Sequence, residues 1–563
     1  MFLSLSKQVQ KVLKDQYDLD GISVSWQRPQ ESSHGDSATA VALQIAKKVG
    51  KKPQEIAQTL VDALQELDTV ERCKVAGPGY VNVWLTPTAL LEELGKTRKA
   101  CTPRVKRKDE APVVVEYSQP NIAKPLGIHH VMSTVIGQAI ANLYDYQGYN
   151  VIKVNYIGDW GTQFGKLFIA FDKWATKPVE ECTVEDLLDM YVKFHNEAEK
   201  DSSLEDEARA AFARLEKGDD AMRTFRLAVV DISMKSLLKM YERLHITIEH
   251  QHGESRYEDL MKPVIELGKE KGVFTEGREG ALIAEFPEDS HMPPAIVLKG
   301  DGATIYHTRD LAAIRNRTDQ WHPQAVYHVV DVAQQLYFQQ LIAMGNMLWD
   351  DLPTWEHIIF GRMRFADKNM STRKGNMLRL EHVLDEAVER AQKIIDDHGD
   401  SIQTDDKEGL AEMMGVGSVA YGTLSQNRKM DMIFDWDKML SFDGNSAPYV
   451  QYTHARAKSV LRKGGDFSEP TGITEFAEKE RSLLNTLLQF ERVLDEACTS
   501  QMPHVLCNYL FSLCQEYNSF YSDIPILKAE EPQRSLRLSL TSLTATVLKA
   551  GAEILTLRVP EKM

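Results

Sequence analysis

Three consecutive valines, Val113–Val115, open the segment that most restricts how this chain can fold. VVVEYS (Val113–Ser118) is a β-branched run without polar alternation, the pattern of a strand covered on both faces. A loop follows, and then Val131, Val135, Ile136, Ala139, Ile140 and Leu143 recur at helical spacing. Gly148 ends the helix, and VIKVNYIGD (Val151–Asp159) reads as the next strand. Strand, loop, helix and strand at this spacing form a βαβ unit, so the centre of the chain is predicted to be α/β with a parallel sheet. AVYHVVD (Ala325–Asp331) and HIIFGRMRF (His357–Phe365) are further strand candidates. Charged helical sequence at about 183–250 reads as an insertion in this domain.

A chain of 563 residues exceeds what one core supports, so two to four domains are expected. Residues 1–110 read as a small α+β unit. HGDSATAVALQIAKKVGKKPQEIAQTLVDAL has helical apolar spacing, and CKVAGPGYVNVWLTP alternates like a strand after a Gly-Pro-Gly turn. Thr97–Pro112, TRKACTPRVKRKDEAP, has no apolar period. It reads as a basic linker, either solvated or in touch with a phosphate backbone. Residues 111–395 form the parallel-sheet domain. Residues 396–563 form an all-α bundle, with Leu483, Leu487, Phe490 and Leu494, then Val505, Tyr509, Leu513 and Tyr517, at helical spacing.

Composition excludes several classes. No apolar run reaches the roughly 18–20 residues of a membrane span, and the start lacks the apolar stretch of a secretory signal. Six scattered cysteines contain no CxxC pair, which fits a reducing cytoplasm and argues against a zinc ribbon. The net charge of −16 is concentrated in the middle of the chain, with both ends close to neutral. That distribution permits an anionic polymer at the ends without requiring one, since many neutral domains bind no nucleic acid.

The loop leaving Glu116 opens a helix, and such loops at the carboxyl edge of a parallel sheet bind ligands. Free N–H groups and the positive dipole end suit a phosphate there. Gly127 allows close backbone approach, His130 can donate an N–H to a phosphoryl oxygen, and Lys124 adds a mobile charge. Adjacent side chains on a helix diverge by about a hundred degrees, so His129 and His130 make a poor metal pair and no metal site is predicted. A second stretch, DKNMSTRKGNMLRLEHVLDEA (Asp367–Ala387), brings Ser371, Thr372, Arg373 and Lys374 before a helix. It reads as a surface turn or as a lid over a nucleotide.

Taken together, Pro-x-x-x-His-His at a helix start and Met-Ser-Thr-Arg-Lys-Gly later in the chain resemble a class I aminoacyl-tRNA synthetase. Within that class the chain closely resembles the arginyl-tRNA synthetases, along essentially its whole length. HGD (His34–Asp36) and AGPGYVNVWL are similar to that family's N-terminal domain. EYSQPNIAKPLG, NYIGDWGTQFGKL, GESRY, IYHTRDLAAI, VVDVAQQLYF and MSTRKGN resemble its catalytic blocks, and FDWDKMLSFDGNSAPYVQYTHARAKSV its anticodon-binding bundle. There are departures. The family's first signature, His-hydrophobic-Gly-His, reads Gly127, Ile128, His129 and His130 here, so His129 is a candidate to supply the missing imidazole. Asn369 and Thr372 stand where many class I enzymes have Lys, and Lys124 matches the upstream lysine thought to substitute. Ala333 and Tyr337 stand where some relatives have Glu and His.

The resemblance implies a Rossmann-like catalytic domain between an α+β tRNA-binding domain and a helical anticodon-binding domain. It implies arginine–tRNA ligation: arginine and ATP give arginyl-adenylate and pyrophosphate, with tRNA required, and the tRNA terminal adenosine then takes the arginyl group. Catalysis would fall to Lys124, His129, His130, Ser371, Thr372, Arg373 and Lys374. ATP would lie against Pro120, Gly127, His130, Met370, Ser371 and Lys374, with Mg²⁺ carried on its phosphates. Arginine would be held by Glu116, Asn121, Tyr306, Asp310 and Gln334. Tyr306 and Asp310 are four apart and share a helix face. Without the family match, the favoured reading of Asp310 is a salt bridge with Arg309, Arg315 or Arg317. tRNA(Arg) would meet Tyr449, Gln451, Tyr452 and Arg456, where aromatic stacking beside a cation suits a splayed loop; packing inside the bundle is the competing reading for the tyrosines. A monomer is expected. Rival readings are a synthetase for another amino acid, such as cysteine, and a non-catalytic tRNA-binding relative.

Overall fold

The computed structural model describes residues 2–29, 34–300, 306–366, 378–399 and 402–563. Its centre is a five-stranded sheet built from β1 (Val113–Glu116), β2 (Val151–Ile157), β3 (His250–Gly253), β4 (Ala325–Asp331) and β5 (Thr354–Phe360). The strand order is β5-β4-β1-β2-β3 and every pair is parallel. Val113 stands beside both Ala325 and Val151, which sets the register of the three middle strands. The valine run is explained by cover on both sides. Val114, Val154 and Val326 belong to one core cluster, whereas Val113, Val115 and Ala325 belong to another. Winding reverses between β1 and β4, so a crevice opens beyond the carboxyl ends of these two strands.

Helix α1 (His130–Tyr146) crosses from β1 to β2. Gly137 lets it lie close: a Cβ there would fall 2.2 Å from Tyr117 Cβ. After β2 comes a helical insertion that includes α2 (Val184–Ala198), started by a Thr183–Asp186 capping box, and α3 (Asp220–Arg243). The insertion has its own core around Phe164, Leu187, Leu215 and Met222. It returns to the sheet through β3, whose sequence HQHG is too short and polar to read as a strand. Past β3, the segments Phe274–Glu276, Leu282–Ala284 and Ala295–Leu298 form a small antiparallel sheet with no clear sequence signal. Helix α4 (Tyr306–Trp321) then leads into β4.

HIIFGRMRF is not one strand. β5 stops at Phe360, and Met363–Phe365 pairs instead with Met432–Phe434. The break falls at Gly361, where a Cβ would lie 2.2 Å from the Met430 carbonyl oxygen. Helix α5 (Leu380–His398) follows, and the end of the chain is helical, including α6 (Ala447–Gly464), α7 (Pro503–Asp523) and α8 (Gln533–Ile554).

The N-terminal unit pairs Tyr80–Leu85 with both Ser37–Thr39 and Val70–Ala76, flanked by helices. It docks on the terminal bundle through Asp36, a buried carboxylate that accepts from Arg481 at 2.7 Å and Asn485 at 2.7 Å. The basic stretch 97–112 differs from its reading as a linker open to phosphate. Its first residues close the helix Pro87–Ala100, and its cations meet acids of the same chain: Arg98 with Glu469, Arg104 with Glu491 and Asp495, Lys106 with Asp145. Among the described residues no helix is long and apolar enough to cross a membrane.

Candidate active site

A cavity of about 540 Å³ occupies the crevice between the ends of β1 and β4. All five residues expected to hold arginine line it: Glu116, Asn121, Tyr306, Asp310 and Gln334. They reach it from four elements, namely the last residue of β1, the loop after it, the first turns of α4, and the turn after β4.

The acids of this cavity divide by partner. Glu116 is buried, accepts from Gln119 Nε2 at 2.7 Å, faces His328 Nδ1 at 3.0 Å and is paired with Arg317. Burial opposes its charge, but Arg317 and His328 win and hold the carboxyl well below the usual range. Asp310 is different. Arg309 pairs with Glu254 and Glu258, Arg315 with Asp319 and Asp351, and Arg317 with Glu116. None of the three neighbours that could have neutralised Asp310 does so. The Tyr337 hydroxyl donates to its Oδ2, and the Tyr156 hydroxyl makes a weaker polar contact with the carboxylate. Burial pushes the Asp310 carboxyl up, with repulsion from Glu116 adding to the shift. Glu254, on the same wall, is pushed up to about 7 by burial, against the pull of Arg309 and with repulsion from Asp310. An acid held without its own cation in a low-dielectric cavity can accept a cationic ligand. Tyr306 stands exposed at the mouth, one helical turn from Asp310.

The phosphate side adjoins it. His130 is the first residue of α1, and its Nδ1 accepts from the Gly127 N–H at 3.0 Å. The same Nδ1 lies 3.2 Å from Gly127 O, so it accepts from the N–H when the proton is on Nε2 and donates to the carbonyl when the proton is on Nδ1. Burial lowers His130 to about 4, with His129 adding to the shift, so the ring is a neutral donor at pH 7. The two imidazoles do not diverge as helical neighbours would. His129 precedes the first helical residue, and the ring centroids are 4.1 Å apart. Pro120 is buried, and its carbonyl accepts from Gly158 N at 3.0 Å, tying the loop to the end of β2. Lys124 is exposed, with its ammonium 4.7 Å from the Tyr191 ring centre on α2. Met370, Ser371, Thr372, Arg373 and Lys374 lie outside the described residues. The segment that follows them does not: Ile128 N donates to Leu378 O and Leu380 N to Leu126 O, both at 2.8 Å. The two signature regions therefore share a short antiparallel contact at Gly127 and Arg379.

Family models match along the chain in the same order. One described as tRNA synthetases class I (R), catalytic domain, covers residues 93–436. One for the arginyl tRNA synthetase N terminal domain covers 3–85, and one for the DALR anticodon binding domain covers 450–563. The chain is 37% identical over 537 residues to an arginine–tRNA ligase of Fusobacterium nucleatum, covering 94% of this chain and 93% of that one. It is 34% identical to an arginine–tRNA ligase of Actinobacillus succinogenes, over 99% and 100% of the two chains. The chain belongs to the arginyl-tRNA synthetases. The structure of the arginyl-tRNA synthetase of Thermus thermophilus superposes over the full length of both chains, with a TM-score of 0.82 at 25% identity.

On this arginyl-tRNA synthetase the four residues expected to meet tRNA do not act together. Tyr449, Tyr452 and Arg456 are half-buried on α6. Arg456 lies 4.6 Å from the Tyr452 ring centre and 5.1 Å from that of Tyr521, and donates to Asn518 Oδ1 at 2.6 Å. Gln451 is a correction. It is fully buried and donates to the backbone carbonyls of Met413 and Arg558, so it ties helices together and presents nothing to a ligand.

Sequence reasoning missed Gln119, Glu254, Arg317, His328 and Tyr337 as cavity residues. Gln119 and Glu254 fall in blocks that resemble the family's, Arg317 entered only as a possible partner of Asp310, His328 only as part of a strand, and Tyr337 as a departure from some synthetase relatives. Its hydroxyl on Asp310 gives that departure a physical role.

Proposed function

We propose that the cavity takes L-arginine with its guanidinium on Asp310, beside ATP held at the start of α1, and that the chain charges tRNA(Arg). The carboxylate of arginine attacks the α-phosphorus of ATP, the bond to the β-phosphate oxygen breaks, and pyrophosphate leaves. The terminal ribose hydroxyl of tRNA then attacks the arginyl carbonyl and AMP leaves. No enzyme nucleophile is required. His130, in the tautomer that carries its proton on Nε2, and the positive dipole end of α1 would meet charge building on the phosphate, Lys124 would reach the polyphosphate, and Met370–Lys374 would close over it. Among the described residues no three His, Cys, Asp or Glu converge on one point. Mg²⁺ is assigned to the ATP phosphates and water, entering with substrate, as its reluctance to shed water favours.

The observation that carries this reading is Asp310, left without a guanidinium of its own in a cavity lined by three acids. ATP–pyrophosphate exchange with arginine, with and without tRNA(Arg), tests it. Exchange that needs arginine is expected, and exchange indifferent to arginine refutes it. We further assign the active form to the monomer, because Asp36–Arg481 and Arg28–Glu516 join the two ends within one chain. Light scattering of the active protein tests this. All six cysteines are free thiols, which supports a cytoplasmic setting.

A further inference from the structure

Ser118 and Gln119, at the lip of the cavity, both have left-handed backbone, with φ of 78° and 52°. Neither is Gly, and each such residue costs on the order of 1–3 kcal/mol unless its surroundings hold it. The surroundings are a cage of hydrogen bonds. Ser118 N donates to Ser133 Oγ at 3.0 Å, and Ser133 in turn donates to Val329 O on β4 at 2.7 Å. Gln119 N donates to Asn155 Oδ1 at 3.0 Å. Both sides of this cage meet one hydroxyl. Tyr241 donates to Ser118 Oγ and accepts from Asn155 Nδ2 at 3.0 Å. Ser118 Oγ also shares a 2.9 Å hydrogen bond with Thr134, which donates to His130 O at 2.8 Å.

Tyr241 belongs to neither signature and lies on α3, in the insertion. Its ring is buried and forms one wall of a separate cleft of about 600 Å³ against Glu553 and Leu557 at the end of the chain. Two residues on, Arg243 binds Glu412 and Asp385, which fixes the end of α3 to the helices behind it. The hydroxyl is thus held from outside the sheet, at the one point where the Ser118–Gln119 turn and Asn155 converge.

We propose that Tyr241 is a positioning residue for arginine: its hydroxyl clasps the left-handed Ser118–Gln119 turn, and so sets where Gln119 holds Glu116 and where Asn121 faces the cavity. This rests on the cavity being the arginine site. Tyr241 does not line the cavity, so its effect is expected on arginine binding and not on the chemical step.

The test is tRNA-supported ATP–pyrophosphate exchange by the full-length protein. Tyr241→Phe keeps the ring and removes one hydroxyl, and the KM for arginine is expected to rise about 3- to 10-fold, the usual span for one lost hydrogen bond. The kcat and the KM for ATP should move less than about 2-fold. Ser118→Gly in the Tyr241→Phe background should bring the arginine KM back to within about 2-fold of wild type, because Gly accepts a left-handed φ without a clasp. If Tyr241→Phe fails to fold, Ser118→Ala removes the acceptor and carries the same KM expectation. An arginine KM within about 1.5-fold of wild type, or losses in the double variant that simply add, overturns the assignment. Wild-type exchange that ignores arginine would instead overturn the reading of the cavity itself.

Discussion

Replacing Asp310 with Asn separates function from stability, because the two should move in opposite directions. Asn keeps the shape of the side chain and can still accept from Tyr337 through its one oxygen, so the change removes the charge and turns the other acceptor into a donor. For arginine, the variant turns a charge-assisted contact into a neutral one. Hydrogen bonds to charged groups contribute about 1.5–3 kcal/mol each, and a guanidinium can make one or two to this carboxylate. A loss of about 2–4 kcal/mol in transition-state stabilisation is expected, or roughly 30- to 1,000-fold in kcat/KM for arginine. For the free protein the sign reverses. Burial raises the folded pKa of Asp310 above its unfolded value, so above that folded pKa the charged carboxylate destabilises the fold. Asp310→Asn should therefore hold or raise the melting temperature at pH 7.5. Exchange kinetics with arginine and with citrulline, its neutral isostere, together with thermal unfolding, measure both sides. The variant should discriminate less between the two amino acids. A loss in kcat/KM below about 5-fold, or a melting temperature several degrees lower, would mean that Asp310 serves packing and the reasoning fails.

Other perturbations follow from the same geometry. Glu254 has a folded pKa near 7, raised above its unfolded value. Lowering the pH from 8 to 6 should neutralise it, favour the empty fold and raise the KM for arginine; a flat KM across this range contradicts its place in the site. Arg481→Met leaves the buried Asp36 charge without its partner and should cost about 3 kcal/mol of stability while sparing the KM for arginine, as read by urea unfolding and exchange. Arg456→Ala should act mainly on tRNA, raising its KM several-fold, with only about 1 kcal/mol of stability lost with the Tyr452, Tyr521 and Asn518 contacts. Gln451→Ala should do the reverse, losing stability with little effect on tRNA, since its amide binds only backbone carbonyls.

The parallel sheet was legible in the chain because its central strand is buried on both faces. Val113–Val115 admit no other placement, and Gly148 marks where the crossover ends. The strand edge was also where ligands were expected, and a cavity does open beyond the carboxyl ends of β1 and β4. The identity of the amino acid did not follow from pattern. Asp310 lies within seven residues of Arg309, Arg315 and Arg317, and sequence spacing cannot say which carboxylates those guanidiniums meet. Tertiary structure decided it by bringing Glu254, Glu258, Asp351 and Glu116 to them and leaving Asp310 to the cavity. The same limit hid β3, whose four polar residues become a strand only beside β2, and the pairing of Arg98 with Glu469. Local pattern settles which segments are buried and how they are wound. Which charges stay unpaired depends on contacts between residues far apart in the chain, and these exist only once the chain has closed on itself.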